Sequence, residues 1–306
     1  MILPVPPPHH PNTPRSPILL LLTLSCTPHA NHTLWRQVPY DDIAATCDLA
    51  NETGGHPLAP NGDLSLSADC AALLGDAFGV DWSDFDEEPH NIHDPDSALE
   101  SVLGGLLLSI GASGVTIDEA LTADAPSTLS DQLTGLAARE GLSGGDEMGR
   151  LWYEHLSRAF HTIQYKPELD ALAYFGGNQL VIGDVGNTIS DDPAILPIAD
   201  NAMPFLEVAV ILLHESGHNV YGGHTDCPNN DGRCDASREG AYGVGVWWGH
   251  LWLQANLDSL EWYTCDDAAE RVESSCAVII DDDGWAACEV SALRERCWAI
   301  LVDDDR

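Results

Sequence analysis

Basic side chains are scarce in this sequence, and lysine is almost absent. Lys166 is the only lysine, and 12 residues are Lys or Arg against 49 that are Asp or Glu, which gives a formal net charge of -37 at pH 7. A surface of this sign repels phosphate backbones and anionic lipid headgroups, so we exclude nucleic acid as a partner. The hydrophobic content of 44% nevertheless provides enough apolar side chains for a packed core.

The apolar run near the amino terminus, residues 18–25, is too short to span a bilayer but has the length of a signal-peptide core. We therefore predict an export signal over residues 1–25. The run ends in TLSC, which resembles a bacterial lipoprotein cleavage box with Cys26 as the acylated residue. Residues 26–40 would then be a lipid-anchored tether on a cell-envelope lipoprotein, and the anchor would be the only membrane contact. The alternative is a plain secretory signal and a secreted protein.

CxxC pairs are absent, which argues against thiolate zinc sites and thioredoxin-like chemistry and favours disulfides in an oxidising compartment. Nine cysteines are present, so eight remain to form four disulfides if Cys26 is acylated. Two pairs would close local loops, Cys47–Cys70 and Cys227–Cys234. The last four cysteines allow either sequential pairing or the nested pairs Cys265–Cys297 and Cys276–Cys288.

The rest of the chain divides into two regions by its sequence pattern. Residues 41–145 predict helices interrupted by glycine, and residues 146–306 form the second region, which contains the histidine motif. In the first region two segments begin with capping-box spacing, Thr116 to Glu119 and Thr128 to Asp131. In the second, QLVIGDV (179–185) predicts a short strand. A helix with Pro204 in its first turn is also predicted, and it should be buried because its run Val208 to Leu213 is apolar on every side.

This buried helix ends in HESGHNVYGGH, residues 214–224. His214 and His218 are four positions apart, so a helix places both on one face, where two imidazole nitrogens can bind one zinc ion. Glu215 lies beside them and can reach a water on that ion. The alternative is a pair of hydrogen-bonded core histidines.

The motif resembles the zincin superfamily of zinc metallopeptidases, and its third histidine has the spacing of the metzincin branch. The resemblance implies zinc ligands at His214, His218 and His224, with Glu215 as general base. It also implies an α+β, mostly helical fold, in which a zincin-like catalytic region has an HExxH helix and a small sheet and is stabilised by disulfides. The sequence departs from metzincins at Tyr221, where they have glycine, and it lacks their Met-turn because no methionine follows Met203.

Three acids compete with His224 for the third ligand position, namely Glu239, Asp235 and Asp226. Glu239 has nearly the spacing of the downstream glutamate in thermolysin-like enzymes. Tyr242 is a candidate to donate a hydrogen bond from its hydroxyl to the oxyanion that forms during hydrolysis. Alternatively, Tyr242 only packs in a glycine-rich turn.

The segment TDCPNNDGRCD, residues 225–235, resembles a calcium loop in which Asn229, Asp231 and Asp235 would provide oxygen ligands. Its alternative is a surface loop closed by Cys227 and Cys234. Calcium is therefore a second candidate cofactor beside zinc.

These features predict an exported zinc metallopeptidase that cleaves peptide or protein substrates by attack of a zinc-bound water, with Glu215 as base. A different class of protein remains as the alternative: a non-catalytic metal-binding surface lipoprotein, in which the zincin site is structural or inactive.

Overall fold

Helices form most of the described structure. The computed structural model describes residues 38–49, 66–80, 98–111, 115–166, 169, 173–183, 204–224, 234–257, 262–279 and 284–304. The helices are α1 (Tyr40–Thr46), α2 (Ala68–Phe78), α3 (Ala98–Ile110), α4 (Ile117–Thr122), α5 (Ser127–Glu140), α6 (Met148–Ala159), α7 (Pro204–Tyr221), α8 (Ala241–Asn256), α9 (Trp262–Cys276) and α10 (Ser291–Asp304). Within these residues, none of the helices has both the length and the apolarity that a membrane span requires. The predicted export signal, Cys26 and the tether up to residue 37 lie outside the described residues.

A small sheet follows α6. Its strands are β1 (Thr162–Tyr165), β2 (Ala173–Gly176) and β3 (Gln179–Ile182), in the spatial order β1-β3-β2. β1 and β3 are parallel, whereas β2 and β3 form an antiparallel hairpin whose turn residues Gly177 and Asn178 both have positive φ. The predicted strand is confirmed over Gln179–Ile182, and so is the mostly helical fold with a small sheet. β2 packs against α7, the helix that carries the first two histidines of the motif.

One of the two predicted capping boxes is confirmed. Thr116 Oγ1 accepts a hydrogen bond from the Glu119 N–H (3.3 Å), and the Glu119 carboxylate accepts one from the Thr116 N–H (2.9 Å). The box predicted from Thr128 to Asp131 is wrong, because α5 begins earlier, at Ser127, and its N-cap residue Pro126 makes no side-chain cap. The carboxylate of the distant Glu239 accepts hydrogen bonds from the first backbone N–H groups of α5 in its place.

The histidine-bearing helix α7 lies between α3 and α8. Glycines allow α7 to pack closely against both neighbouring helices. A Cβ on Gly105 of α3 would lie 2.6 Å from Val208 Cγ1 of α7. A Cβ on Gly217 of α7 would lie 2.9 Å from Ala241 Cα of α8. Val208, Leu212 and Leu213 are buried, as the all-apolar run predicted. The helix that presents the candidate site is therefore a central element of the core.

The disulfides resolve the pairing that the sequence left open. Cys47 pairs with Cys70, as predicted. The last four cysteines form the nested pairs, Cys265–Cys297 between α9 and α10 and Cys276–Cys288 at the end of α9. Cys234 is also disulfide-bonded, but its predicted partner Cys227 lies outside the described residues.

Candidate metal centre

The last turns of α7 present the first two histidines of the site. His214 and His218 are one helical turn apart, and the helix ends at Tyr221. Gly222 then adopts a left-handed φ of 78°, and its N–H donates to the His218 carbonyl at 2.9 Å. This conformation favours glycine because a side chain would be strained there. The turn brings His224 back towards the helix.

The three histidines converge on one point. Their potential ligand atoms all lie within 4.8 Å of one another. The ring centroids are 5.1 Å apart for His214 and His218, 5.2 Å for His214 and His224, and 4.8 Å for His218 and His224. The group could therefore hold one metal ion. Among the described residues, neither Glu239 nor Asp235 belongs to this group.

Hydrogen bonds determine which ring nitrogen of His218 and of His224 is available to a metal ion. His218 Nδ1 lies 2.6 Å from the Gly222 carbonyl, and His224 Nδ1 lies 3.2 Å from Asp235 Oδ1. Both acceptors lack protons, so each Nδ1 must be the donor and each Nε2 keeps a free lone pair. The buried Nδ1 of His214 has no hydrogen-bond partner within the described part of the chain. This set of donors fits a metal site better than a pair of satisfied core histidines.

Burial favours the neutral form of His214 and His218. It lowers the pKa of His214 from 6.5 to about 3, helped by the neighbouring His218 and His224, and it also lowers the pKa of His218. The neutral ring is the form that binds a metal ion, so these histidines need not lose a proton first at pH 7.

Glu215 lies against the histidine group. Its side chain is buried, at 7% exposure, and Oε2 is 3.9 Å from His218 Nε2. Burial raises the pKa of this carboxyl from 4.5 to about 7. A carboxyl group with a pKa near neutrality can both accept and return a proton.

Asp235 supports a histidine and is not itself one of the converging ligands. It is fully buried, and its Oδ1 accepts the hydrogen bond from His224 while its Oδ2 accepts one from the Tyr242 N–H at 2.9 Å. Its suggested calcium partners Asn229 and Asp231 lie outside the described residues, as does Asp226, so the calcium loop stays a prediction.

Glu239, the other candidate for the third ligand, has its carboxylate at the start of α5. There it accepts hydrogen bonds from the backbone of Ser127 and Thr128 and from the Tyr221 hydroxyl at 3.1 Å. Because Tyr221 is the last residue of α7, this carboxylate joins the end of the histidine helix to α5.

Tyr242 packs directly on the site. Its ring centroid lies 4.3 Å from that of His214 and 5.1 Å from that of His224, on which it stacks. Tyr242 is the second residue of α8 and so packs from a helix, not from the glycine-rich turn that the sequence suggested, and hydrogen-bond donation to an oxyanion stays a prediction. His250 lies away from this cluster, hydrogen-bonded to the backbone of Ala287.

Sequence reasoning missed two contacts around the motif. Ser216, inside HESGH, donates to the Leu213 carbonyl at 2.7 Å and accepts from His155 Nε2 at 3.2 Å, which ties α6 to α7. Asp235 was recognised only as a possible ligand and not as the partner of His224. The spacing of residues in the sequence does not indicate the contact of Ser216 with His155 or that of Asp235 with His224, because each contact joins two separate segments.

Comparisons of the chain with protein-family models, with curated proteins and with solved structures found no match, so a functional assignment depends on the geometry of this site.

Proposed function

We propose that the protein is a zinc metallopeptidase with ligands His214, His218 and His224. The observation on which the proposal depends is the convergence of these three imidazoles beside the buried carboxyl group of Glu215. Three imidazole nitrogen donors suit zinc, and they leave a fourth position for water or substrate. When bound, zinc would polarise a substrate carbonyl and lower the pKa of water.

The protein's own groups would then move the protons. Glu215 would take a proton from the attacking water and return it to the leaving amine, a role for which its place next to His218 is suitable. Tyr242 packs against the rings of His214 and His224 and stacks on that of His224, and its hydroxyl is our candidate donor to the developing oxyanion. The exported location and the lipid anchor are parts of the same proposal that depend only on the sequence of residues 1–40.

The test combines zinc content with peptide hydrolysis. We would measure zinc by elemental mass spectrometry on the oxidised protein, purified without a histidine tag, and turnover on a mixed peptide library. Glu215→Gln should keep about one zinc per chain and lose turnover by roughly 10²- to 10⁴-fold, because it removes only the proton acceptor. Glu119→Gln is the matched control and should keep both zinc and turnover, since Glu119 belongs to the capping box of α4, in which glutamine also serves.

Three results would contradict the proposal. If Glu215→Gln cleaves peptides as fast as the parent, Glu215 is not the base. If the parent binds zinc but hydrolyses no peptide, the non-catalytic metal-binding protein is the better description. If the parent contains no zinc, the site is not a zinc centre.

A further inference from the structure

We infer that Asp235 is a positioning residue for the metal centre, which fixes the tautomer and orientation of His224 through a hydrogen bond to its Nδ1. The inference rests on the proposed function in so far as His224 is a ligand. It assigns Asp235 a role different from the ligand and calcium roles that the sequence suggested.

Both oxygens of Asp235 are already used inside the protein. The side chain is 0% exposed, with Oδ1 3.2 Å from His224 Nδ1 and Oδ2 2.9 Å from the Tyr242 backbone nitrogen. A carboxylate can accept from both donors at once, whereas an amide of the same shape has a single oxygen. The ionised aspartate therefore matches the two donors that face it.

The surrounding backbone holds this carboxylate in place. A Cβ on Gly240 would lie 2.3 Å from the Asp235 carboxylate carbon, so the position next to it has no room for a side chain. The Asp235 N–H donates to the Val278 carbonyl at 3.2 Å, and Asp235 forms an isolated parallel bridge with the buried Ile279. The segment after α9 thus supports a group that in turn orients His224.

This support has a chemical consequence for the ring of His224. With its proton held on Nδ1, the ring keeps the lone pair of Nε2 free for a metal ion shared with His214 and His218. A carboxylate behind a histidine ligand also raises the basicity of that ligand, and loss of such a partner typically lowers metal affinity by about 10- to 100-fold.

Asp235→Asn tests the assignment because it changes one oxygen into an amide without changing the size of the side chain. The Tyr242 N–H can only donate, so the remaining oxygen should turn towards it. The amide NH₂ would then face His224 Nδ1, and His224 would move its proton to Nε2. Nε2 would have to lose that proton before it could bind a metal ion.

The first measurement is the ¹⁵N NMR spectrum of the imidazole nitrogens in zinc-free full-length protein at pH 8. We expect His224 to carry its proton on Nδ1 in the parent and on Nε2 in Asp235→Asn. The second is the zinc dissociation constant, from competition with a chromophoric chelator, which should rise about 10- to 100-fold in the variant. Glu119→Gln is the control, because it makes the same carboxylate-to-amide change in the capping box of α4, where glutamine also serves, and it should match the parent in both measurements.

A proton on Nε2 of His224 in the unmutated parent would overturn the inference even if the variant failed to fold. Equal zinc affinities for parent and Asp235→Asn would also overturn it, and so would an equal loss in Glu119→Gln, which would mean that the loss does not come from the contact with His224. These outcomes are separate from those of the proposed function. A parent that binds zinc without cleaving peptides would contradict the peptidase and leave the role of Asp235 intact.

Discussion

His155 is a buried histidine outside the candidate metal centre. Its ring packs edge-on against Trp152, and its Nε2 bonds to Ser216 inside the HESGH motif. Burial lowers its pKa from 6.5 to about 4, so the folded protein holds this ring neutral at pH values where the unfolded chain would protonate it. The free energy of unfolding should therefore be unaffected by His155 above pH 6.5 and fall as the pH drops from 6.5 towards 4.

The substitution His155→Gln should reduce this sensitivity to acid. Glutamine can still donate to Ser216 but cannot gain a charge, so it should remove a pH-dependent loss of roughly 3 kcal/mol at most. Denaturant unfolding of metal-free protein between pH 4 and 8 would measure the effect. Parallel stability curves for parent and variant would mean that another group causes the loss at low pH.

At the scale of elements, the position of α7 depends on its close contact with α3. A methyl group at Gly105 would meet Val208 Cγ1 at 2.6 Å and the Ala209 backbone nitrogen at 3.0 Å. Gly105→Ala should therefore force the two helices apart and lower the free energy of unfolding by about 1–3 kcal/mol. We expect weaker zinc binding as well, because the displaced helix bears two of the three histidines.

Gly135→Ala is the matched control for this prediction. Gly135 lies on the exposed side of α5, where an added Cβ would meet nothing within 4 Å. There the substitution should stabilise the protein by about 0.5–1 kcal/mol, because alanine loses less conformational entropy than glycine in a helix. Equal effects at both positions, measured by denaturant unfolding, would contradict the close packing of α3 on α7.

The sequence predicted the parts of α7 that local rules determine. Its apolar run and the spacing of His214 and His218 both follow from residues close together in the chain. The contacts of Gly105 with Val208 and of Asp235 with His224 join separate segments, and residue type alone does not show such pairs. The cap of α5 is a further example. The sequence around Thr128 has the spacing of a capping box, but the carboxylate that caps α5 belongs to Glu239, more than 100 residues later in the chain.

At the scale of the whole molecule, the net charge of -37 should make stability depend on salt. Mutual repulsion among the acids favours expanded chains, and salt shortens its range from about 10 Å at 0.1 M to about 3 Å at 1 M. We expect sodium chloride to raise the free energy of unfolding by about 1–2 kcal/mol over this interval, or roughly 2–8 °C in the thermal midpoint.

The same titration near pH 4.2, the isoelectric point estimated from the sequence, provides the control. Repulsion is weakest there, so the dependence on salt should be much smaller than at pH 7. A dependence that is the same at both pH values would point to general salting-out of apolar surface and not to relief of charge repulsion.

The packing of α3 on α7 also limits which segments proteolytic cleavage could remove without damage to the folded protein. Removal of residues 41–145 would take away α3 and uncover the apolar side of α7, including Val208 and Ala209. That exposure would weaken the core that supports the histidines, so the helical region acts as a structural part of the folded molecule.

The hydrogen bond between His224 and Asp235 has a consequence for the evolution of this protein. The bond joins His224, just before the segment 225–234, to Asp235, just after it. The distance between these two residues is therefore set by their contact at the site and not by the number of residues between them. Any natural or engineered change in the number of residues in that interval must therefore still leave His224 and Asp235 in contact if the ring is to keep its partner.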